Sequence, residues 1–223
     1  MLTDVQAVLF DLDGTLLDRR QSFDAFVREQ WARFADVLGH VDREQYVRAA
    51  ILRDADGYAP RRELFTSVMS QFALPDGLGM KLLADYRAKF PASCVLFSDA
   101  AGTLTALRAS GFKLGLITNG SLRMQSRKIE RLGVGQMFDA IAISDAEGVS
   151  KPDPRIFHLT LQRLNIAPVH AIYVGDRPDV DVGGARAAGL RAVWRRDPAM
   201  SPAVEADAEV GAMADLLPLL GIG

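Results

Sequence analysis

A short run rich in Val, Leu and Phe, Val5 to Phe10, stands alone at the head of this 223-residue chain, and nothing strand-like follows until after Val95. An isolated strand buries too little to persist, so Val5–Phe10 needs partners from beyond the intervening stretch. That stretch reads as helix throughout. Phe23, Phe26, Val27, Gln30, Trp31, Phe34, Val37 and Leu38 recur at three- and four-residue spacing behind Ser22, which is placed as an N-cap. Further helical patterns cover 42–55, 62–72 and 78–90. Residues 19–93 are therefore expected to form an all-helical insertion that splits the first strand of a sheet from the rest.

After Val95 the pattern changes. Short apolar runs at 113–118, 138–143, 171–174 and 190–194 alternate with helical stretches, the arrangement of parallel strands joined by crossover helices. The punctuation agrees: Gly111 follows the helix at 101–110, Asp153-Pro154 opens another, and Gly189 closes the one at 182–188. The fold expected is α/β, a doubly wound parallel sheet formed by 1–18 and 94–223, with 19–93 as the inserted helical domain. Reactive groups of such sheets gather at the carboxyl ends of the strands, here Phe10-Asp11, Ile117-Thr118, Ile143-Ser144 and Val174-Gly175-Asp176.

Composition removes several function classes. Twenty-six Lys and Arg against 28 Asp and Glu leave a net charge of -2, with no basic excess for nucleic acid. The single cysteine, Cys94, cannot form an internal disulfide or a cysteine metal cluster, and it fits a reducing compartment, which points to the cytoplasm. Met1-Leu2-Thr3-Asp4 carries no basic segment, and the apolar run behind it stops at Asp11, too short for a signal peptide or a membrane span.

Four segments carry chemistry. Asp11 and Asp13 flank one leucine at a strand end, and Gly14-Thr15 turns the chain; two carboxylates so close repel unless a cation or proton intervenes, although Asp-x-Asp-Gly is also an ordinary turn with solvated acids. Thr118-Asn119-Gly120 leads a strand into a helix, where a hydroxyl and loose N–H groups can hold an anion. Lys151 precedes Pro152 in extended backbone just before a helix, although a lone lysine is usually a solvated charge. Gly175-Asp176, with Asp179 and Asp181, closes a buried strand, and acids at a helix start also serve the helix dipole.

Taken in order, Asp11-x-Asp13-Gly14-Thr15, Thr118, Lys151, and Gly175-Asp176 with Asp181 resemble the four signature motifs of the haloacid dehalogenase superfamily of hydrolases. The resemblance spans the chain, because 19–93 lies where that superfamily inserts its helical C1-type cap. Thr118-Asn119-Gly120 with Gln125 and Lys128, then Phe138-Asp139 and Gly148-x-Ser150-Lys151-Pro152, look like the subgroup holding nucleotide 5′-monophosphate and N-acylneuraminate 9-phosphate phosphatases.

The resemblance implies a cytoplasmic phosphatase of a small phosphorylated metabolite, monomeric or homodimeric, without nucleic-acid or membrane partners. It implies Asp11 as nucleophile, giving an aspartyl-phosphate, and Asp13 as the acid and then the base. It implies Mg²⁺ on the Asp11 carboxylate, the Asp13 carbonyl and Asp176, with Asp181 in support, and Thr118, Asn119 and Lys151 around the phosphate. Four acids and one lysine leave three negative charges, which a phosphate dianion cannot approach without a hard cation. A dehalogenase resembling this pattern lacks an acid at the place of Asp13, whereas a phosphomutase shares every motif. A phosphoaccepting signalling domain also combines acids, Thr and Lys on a doubly wound sheet, but has no need of the helical insertion. Specificity is expected in the cap. There Arg19, Arg20, Arg61 and Arg62 read as solvated rather than ligand-binding, and Phe23, Phe26, Trp31, Phe65 and Phe72 as cap core. Arg177 stands where relatives usually carry a small hydroxyl residue, and pairing with Asp179 is its plainer reading.

Overall fold

A computed structural model describes residues 2–196 and 205–223. The chain forms two compact units, one of Met1–Leu17 with Leu96–Gly223 and one of Asp18–Val95. In the first, β1 (Ala7–Phe10), β2 (Lys113–Thr118), β3 (Ala140–Ile143), β4 (Ala171–Gly175), β5 (Arg191–Arg195) and β6 (Ala208–Val210) make one sheet of order β3-β2-β1-β4-β5-β6. Every neighbouring pair is parallel.

The strand pattern follows from burial. All four residues of β1 are inaccessible, as a parallel strand covered on both faces requires, and each large side chain there contributes about 1.5–3 kcal/mol. Ala7 and Leu9 share one face with Ile117, Tyr173 and Trp194. The order reverses on either side of β1, so β2 leads one way and β4 the other, and a crevice opens at that reversal. Phe10 is level with Leu116 of β2 and Val174 of β4, which brings Asp11, Thr118 and Gly175-Asp176 to one edge.

The second unit is helical: α1 (Arg19–Arg33), α2 (Ala35–Leu38), α3 (Arg43–Asp54), α4 (Arg61–Gln71) and α5 (Leu78–Lys89), followed by a short 3₁₀ turn. The expected aromatic core forms around Phe23, Phe26 and Phe65, with Tyr86 and Phe90 added at ring separations such as 5.5 Å for Phe26 and Tyr86; Trp31 and Phe72 are half-buried. Gln30 sits inside this core with its amide satisfied by the Leu82 carbonyl, Asp85 and the Tyr46 hydroxyl. Three expectations need correction. The N-cap of α1 is Asp18, whose carboxylate accepts from the Gln21 N–H at 2.9 Å, while Ser22 lies one turn inside and donates to the Asp18 carbonyl. The helix also breaks at Phe34 instead of running on to Leu38. Arg19 is buried, not solvated: it donates to Asp54 at 2.8 Å and lies over the Phe90 ring, and Arg61 donates to the same carboxylate.

The sheet is flanked by α6 (Ala100–Ala109), α7 (Leu122–Leu132), α8 (Ser144–Glu147), α9 (Pro154–Leu164), α10 (Gly184–Ala187) and α11 (Leu216–Leu219). Pro154 occupies the first position of α9 behind the capping Asp153, and Ile156, Phe157, Leu161 and Leu164 bury against Ala7, Leu9 and Ile117. The helix expected at 182–188 forms as α10 over Gly184–Ala187, and a wide π-type turn, Pro178–Gly183, runs into it from β4 and brings Asp181 inside. Among the described residues no helix is long and apolar enough to cross a membrane.

Candidate active site

Asp11 is the first residue beyond β1, and its N–H donates to the Val174 carbonyl, so the neighbouring strand fixes its backbone. Its carboxylate is almost fully buried, with Oδ1 accepting from Lys151 Nζ at 2.5 Å. The same ammonium donates to Asp181 Oδ1 and to the Tyr173 hydroxyl, both at 2.7 Å. Tyr173 points inward from the middle of β4, with its hydroxyl 3.2 Å from the Ile117 carbonyl. Lys151 is thus held from the end of β1, from β4 and from the turn that follows β4.

Asn119 braces that lysine from behind. Its Oδ1 accepts from the Lys151 N–H at 3.0 Å, and its Nδ2 donates to the Lys151 carbonyl at 2.9 Å. The segment carrying Lys151 is therefore tied to the loop after β2 through a side chain, whereas the sequence suggested only the Asn119 N–H. The Lys151–Pro152 peptide is cis.

Asp176 follows β4, and its carbonyl accepts from Trp194 Nε1 at 2.9 Å. Gly14, at a φ of +88°, lies so close that a Cβ there would collide with the Asp176 carboxylate; only glycine permits both the turn and the approach. Gly175 is likewise pressed against Asp181. Asp181 is wholly buried, and its Oδ2 accepts from the Arg177 N–H at 3.0 Å. One oxygen each from Asp11, Asp176 and Asp181 fall within 4.8 Å of one another.

This crowding has an electrostatic signature. Burial, with Asp181 and Asp13 adding to it against the pull of Lys151, pushes the Asp11 carboxyl up to about 7. Burial and the neighbouring Asp11 and Asp181 carry Asp176 well above the ordinary carboxylate range. Burial works against the Lys151 charge, but Asp11 and Asp181 outweigh it and hold the ammonium up at about 12. Lys151 offsets only one of the three carboxylate charges. A hard dication with oxygen ligands fits them, and a softer metal seeking nitrogen or sulfur finds no such donor in the set.

Asp13, two residues beyond Asp11, is held from a different direction. Lys128 Nζ donates to both of its carboxylate oxygens at 2.8 Å, and Gln125 Nε2 donates to Oδ2 at 2.9 Å. Gln125 also donates to Thr118 Oγ1 at 2.5 Å. Gln125 and Lys128 stand three residues apart on α7 and are 1% and 4% exposed, an inward face that is polar where Ile129 beside it is apolar. The structure therefore brings all seven expected residues, Asp11, Asp13, Thr118, Asn119, Lys151, Asp176 and Asp181, to one edge of the sheet. It adds Gln125 and Lys128, which the sequence offered only as part of the subgroup resemblance and without a role, and Tyr173, which it gave no role. With Lys128 counted, four acids face two lysines, leaving two negative charges where the sequence suggested three. A dication would balance them.

The sequence profile of the haloacid dehalogenase-like hydrolases matches residues 5–189. A glyceraldehyde 3-phosphate phosphatase of Methanopyrus kandleri is 32% identical over 197 residues, which cover 83% of this chain and 82% of that one. Among solved structures, a haloacid dehalogenase-type phosphatase from Thermococcus onnurineus superposes with a TM-score of 0.67 at 29% identity, covering 97% of this chain and 98% of that one. A 2-haloacid dehalogenase from Pseudomonas syringae pv. Tomato superposes with a TM-score of 0.62, also at 29% identity, covering 97% and 98%.

Proposed function

This chain belongs to the haloacid dehalogenase-like hydrolases, and from that premise we propose that it is a Mg²⁺-dependent phosphatase of a small phosphorylated metabolite, working through an aspartyl-phosphate on Asp11. The observation that carries the reading is the pair of carboxylates at the end of β1. Asp11 is buried against Lys151, and Asp13 is turned to a separate set of donors, so two acids two residues apart are placed for two different tasks.

Lys151 occupies Asp11 Oδ1, leaving Oδ2 as the attacking oxygen. In the first step Oδ2 bonds to phosphorus as the ester P–O bond breaks, and Asp13 gives a proton to the leaving oxygen. In the second, water attacks phosphorus and passes a proton to Asp13, the bond to Asp11 breaks, and inorganic phosphate leaves. Thr118, the backbone of Asn119 and Lys151 line the phosphoryl oxygens. The Asp11, Asp176 and Asp181 carboxylates, with the Asp13 carbonyl, would hold the magnesium. Bound there, it supplies positive charge against the phosphate and its transition state. Residues 18–95 serve in this reading as the C1-type cap that selects the substrate.

Attack on carbon is the second reading, favoured by the likeness to the Pseudomonas dehalogenase. The acid at Asp13 and its three hydrogen bonds weigh against it, because displacement of halide needs no proton donor. The test is phosphate release from glyceraldehyde 3-phosphate, sugar phosphates, nucleoside monophosphates, phosphoglycolate and p-nitrophenyl phosphate, with halide release from 2-chloropropionate alongside. Metal-dependent phosphate release that falls by at least a thousandfold in Asp11→Asn is expected. Halide release without phosphate release would overturn the proposal.

A further inference from the structure

Helix α7 is built unlike the other helices that flank the sheet. Its inward face carries Gln125, Lys128 and Ile129, and burying an amide and an ammonium there is costly unless both are satisfied, since an apolar pair of similar volume would pack the same space. Both are satisfied by the site. Three donations converge on the Asp13 carboxylate, two from Lys128 and one from Gln125, and the last also reaches the Thr118 hydroxyl. A carboxylate on a loop turns freely about its own side-chain torsions. One whose two oxygens both accept from the same ammonium, with a second donor on Oδ2, is fixed in its plane. The Ser121 hydroxyl accepts from the Met124 N–H and starts the helix at the position from which residues 125 and 128 face Asp13.

We propose that Gln125 and Lys128 are positioning residues that hold the Asp13 carboxylate in the orientation from which it exchanges protons with the leaving group and with water. The inference rests on the phosphatase reading and extends it to residues that touch neither Asp11 nor Lys151 through any hydrogen bond given above. Its consequence is selective. Steps that use Asp13 depend on the clamp, and steps that do not use it proceed without it. With p-nitrophenyl phosphate the leaving group departs without a proton, so transfer to Asp11 makes no demand on Asp13, whereas release of phosphate from Asp11 still requires a base for water.

The experiment is rapid-quench kinetics with p-nitrophenyl phosphate and an alkyl phosphate, on wild type, Lys128→Met, Lys128→Arg, Gln125→Ala and Asp11→Asn, with thermal unfolding recorded for each. In Lys128→Met the expected result is a nitrophenolate burst within about threefold of the wild-type transfer rate, then turnover slowed by ten- to a hundredfold, with phosphoenzyme accumulating. Alkyl phosphate turnover should fall further than aryl. Lys128→Arg, which keeps the donors, should recover part of the loss. If Lys128→Met does not fold, Gln125→Ala, which leaves the ammonium in place, should show the same asymmetry in weaker form. Burst and turnover falling in equal proportion, or neither falling, would overturn the positioning role while leaving the phosphatase intact. Full activity in Asp11→Asn, or no covalent phosphate in any variant, would instead remove the mechanism on which the inference stands.

Discussion

At the scale of single residues, the site is a contest between burial and pairing. Asp11 holds its proton up to about pH 7, against an ordinary value of 3.8, because its surroundings disfavour the charge more than Lys151 favours it. A carboxyl raised in the folded state costs nothing below the unfolded value, costs progressively more between about pH 4 and 7, and costs its full amount above 7. In metal-free protein, Asp11→Asn should therefore match wild type in thermal stability near pH 4 and exceed it near pH 8 by on the order of 2 kcal/mol. Mg²⁺ should narrow that gap by stabilising wild type alone. Gly14→Ala should cost about 1–3 kcal/mol and weaken the response to Mg²⁺, because the added methyl must displace Asp176 while the backbone stays at positive φ. Asp11, Thr118 and Asp176 were legible in the sequence because they sit at or beside strand ends, and Lys151 because it precedes Pro152 just ahead of a helix. Lys128 was visible only as part of the subgroup resemblance, and its role was not, because its partner Asp13 lies 115 residues away and no local pattern joins the two.

At the scale of elements, legibility tracked two-sided burial. The run at 113–118 is β2 residue for residue, since five of its six positions are buried and no polar side chain interrupts it between Lys113 and Thr118. The three-residue β6 escaped notice because an edge strand covered along one side needs no apolar run. Helix ends depended on caps that compete locally. Asp18 and Ser22 both offer an oxygen, and the carboxylate starts α1 while the Ser22 hydroxyl donates to the Asp18 carbonyl and accepts from the Val95 N–H. Asp18→Ala should then cost about 0.5–2 kcal/mol, read from denaturant midpoints, whereas Ser22→Ala should cost stability through the part-buried hydrogen bond from the Val95 N–H. The wide turn after β4 had no signal of its own in the sequence, yet it is what carries Asp181 inside.

At the scale of the whole molecule, the helical block between β1 and β2 was legible because a lone strand at the head of a chain has to find its partners further on, and β1 finds them in β2 and β4. That topology sets the central strand at the reversal of the sheet, so the residue leaving it enters a crevice between two crossovers. The four signature segments alone hold one lysine too few, because Lys128 lies on α7 outside them. Two lysines against four carboxylates leave two negative charges, which the proposed Mg²⁺ would offset before a phosphate dianion approaches. The central claim is the covalent bond to Asp11. It is tested most directly by quenching turnover in acid and locating the phosphate by mass spectrometry of the digested protein. The account predicts phosphate on the peptide containing Asp11, formed with Mg²⁺, absent in EDTA and absent in Asp11→Asn; steady turnover with no phosphate on that peptide, or with phosphate on another residue, would contradict it.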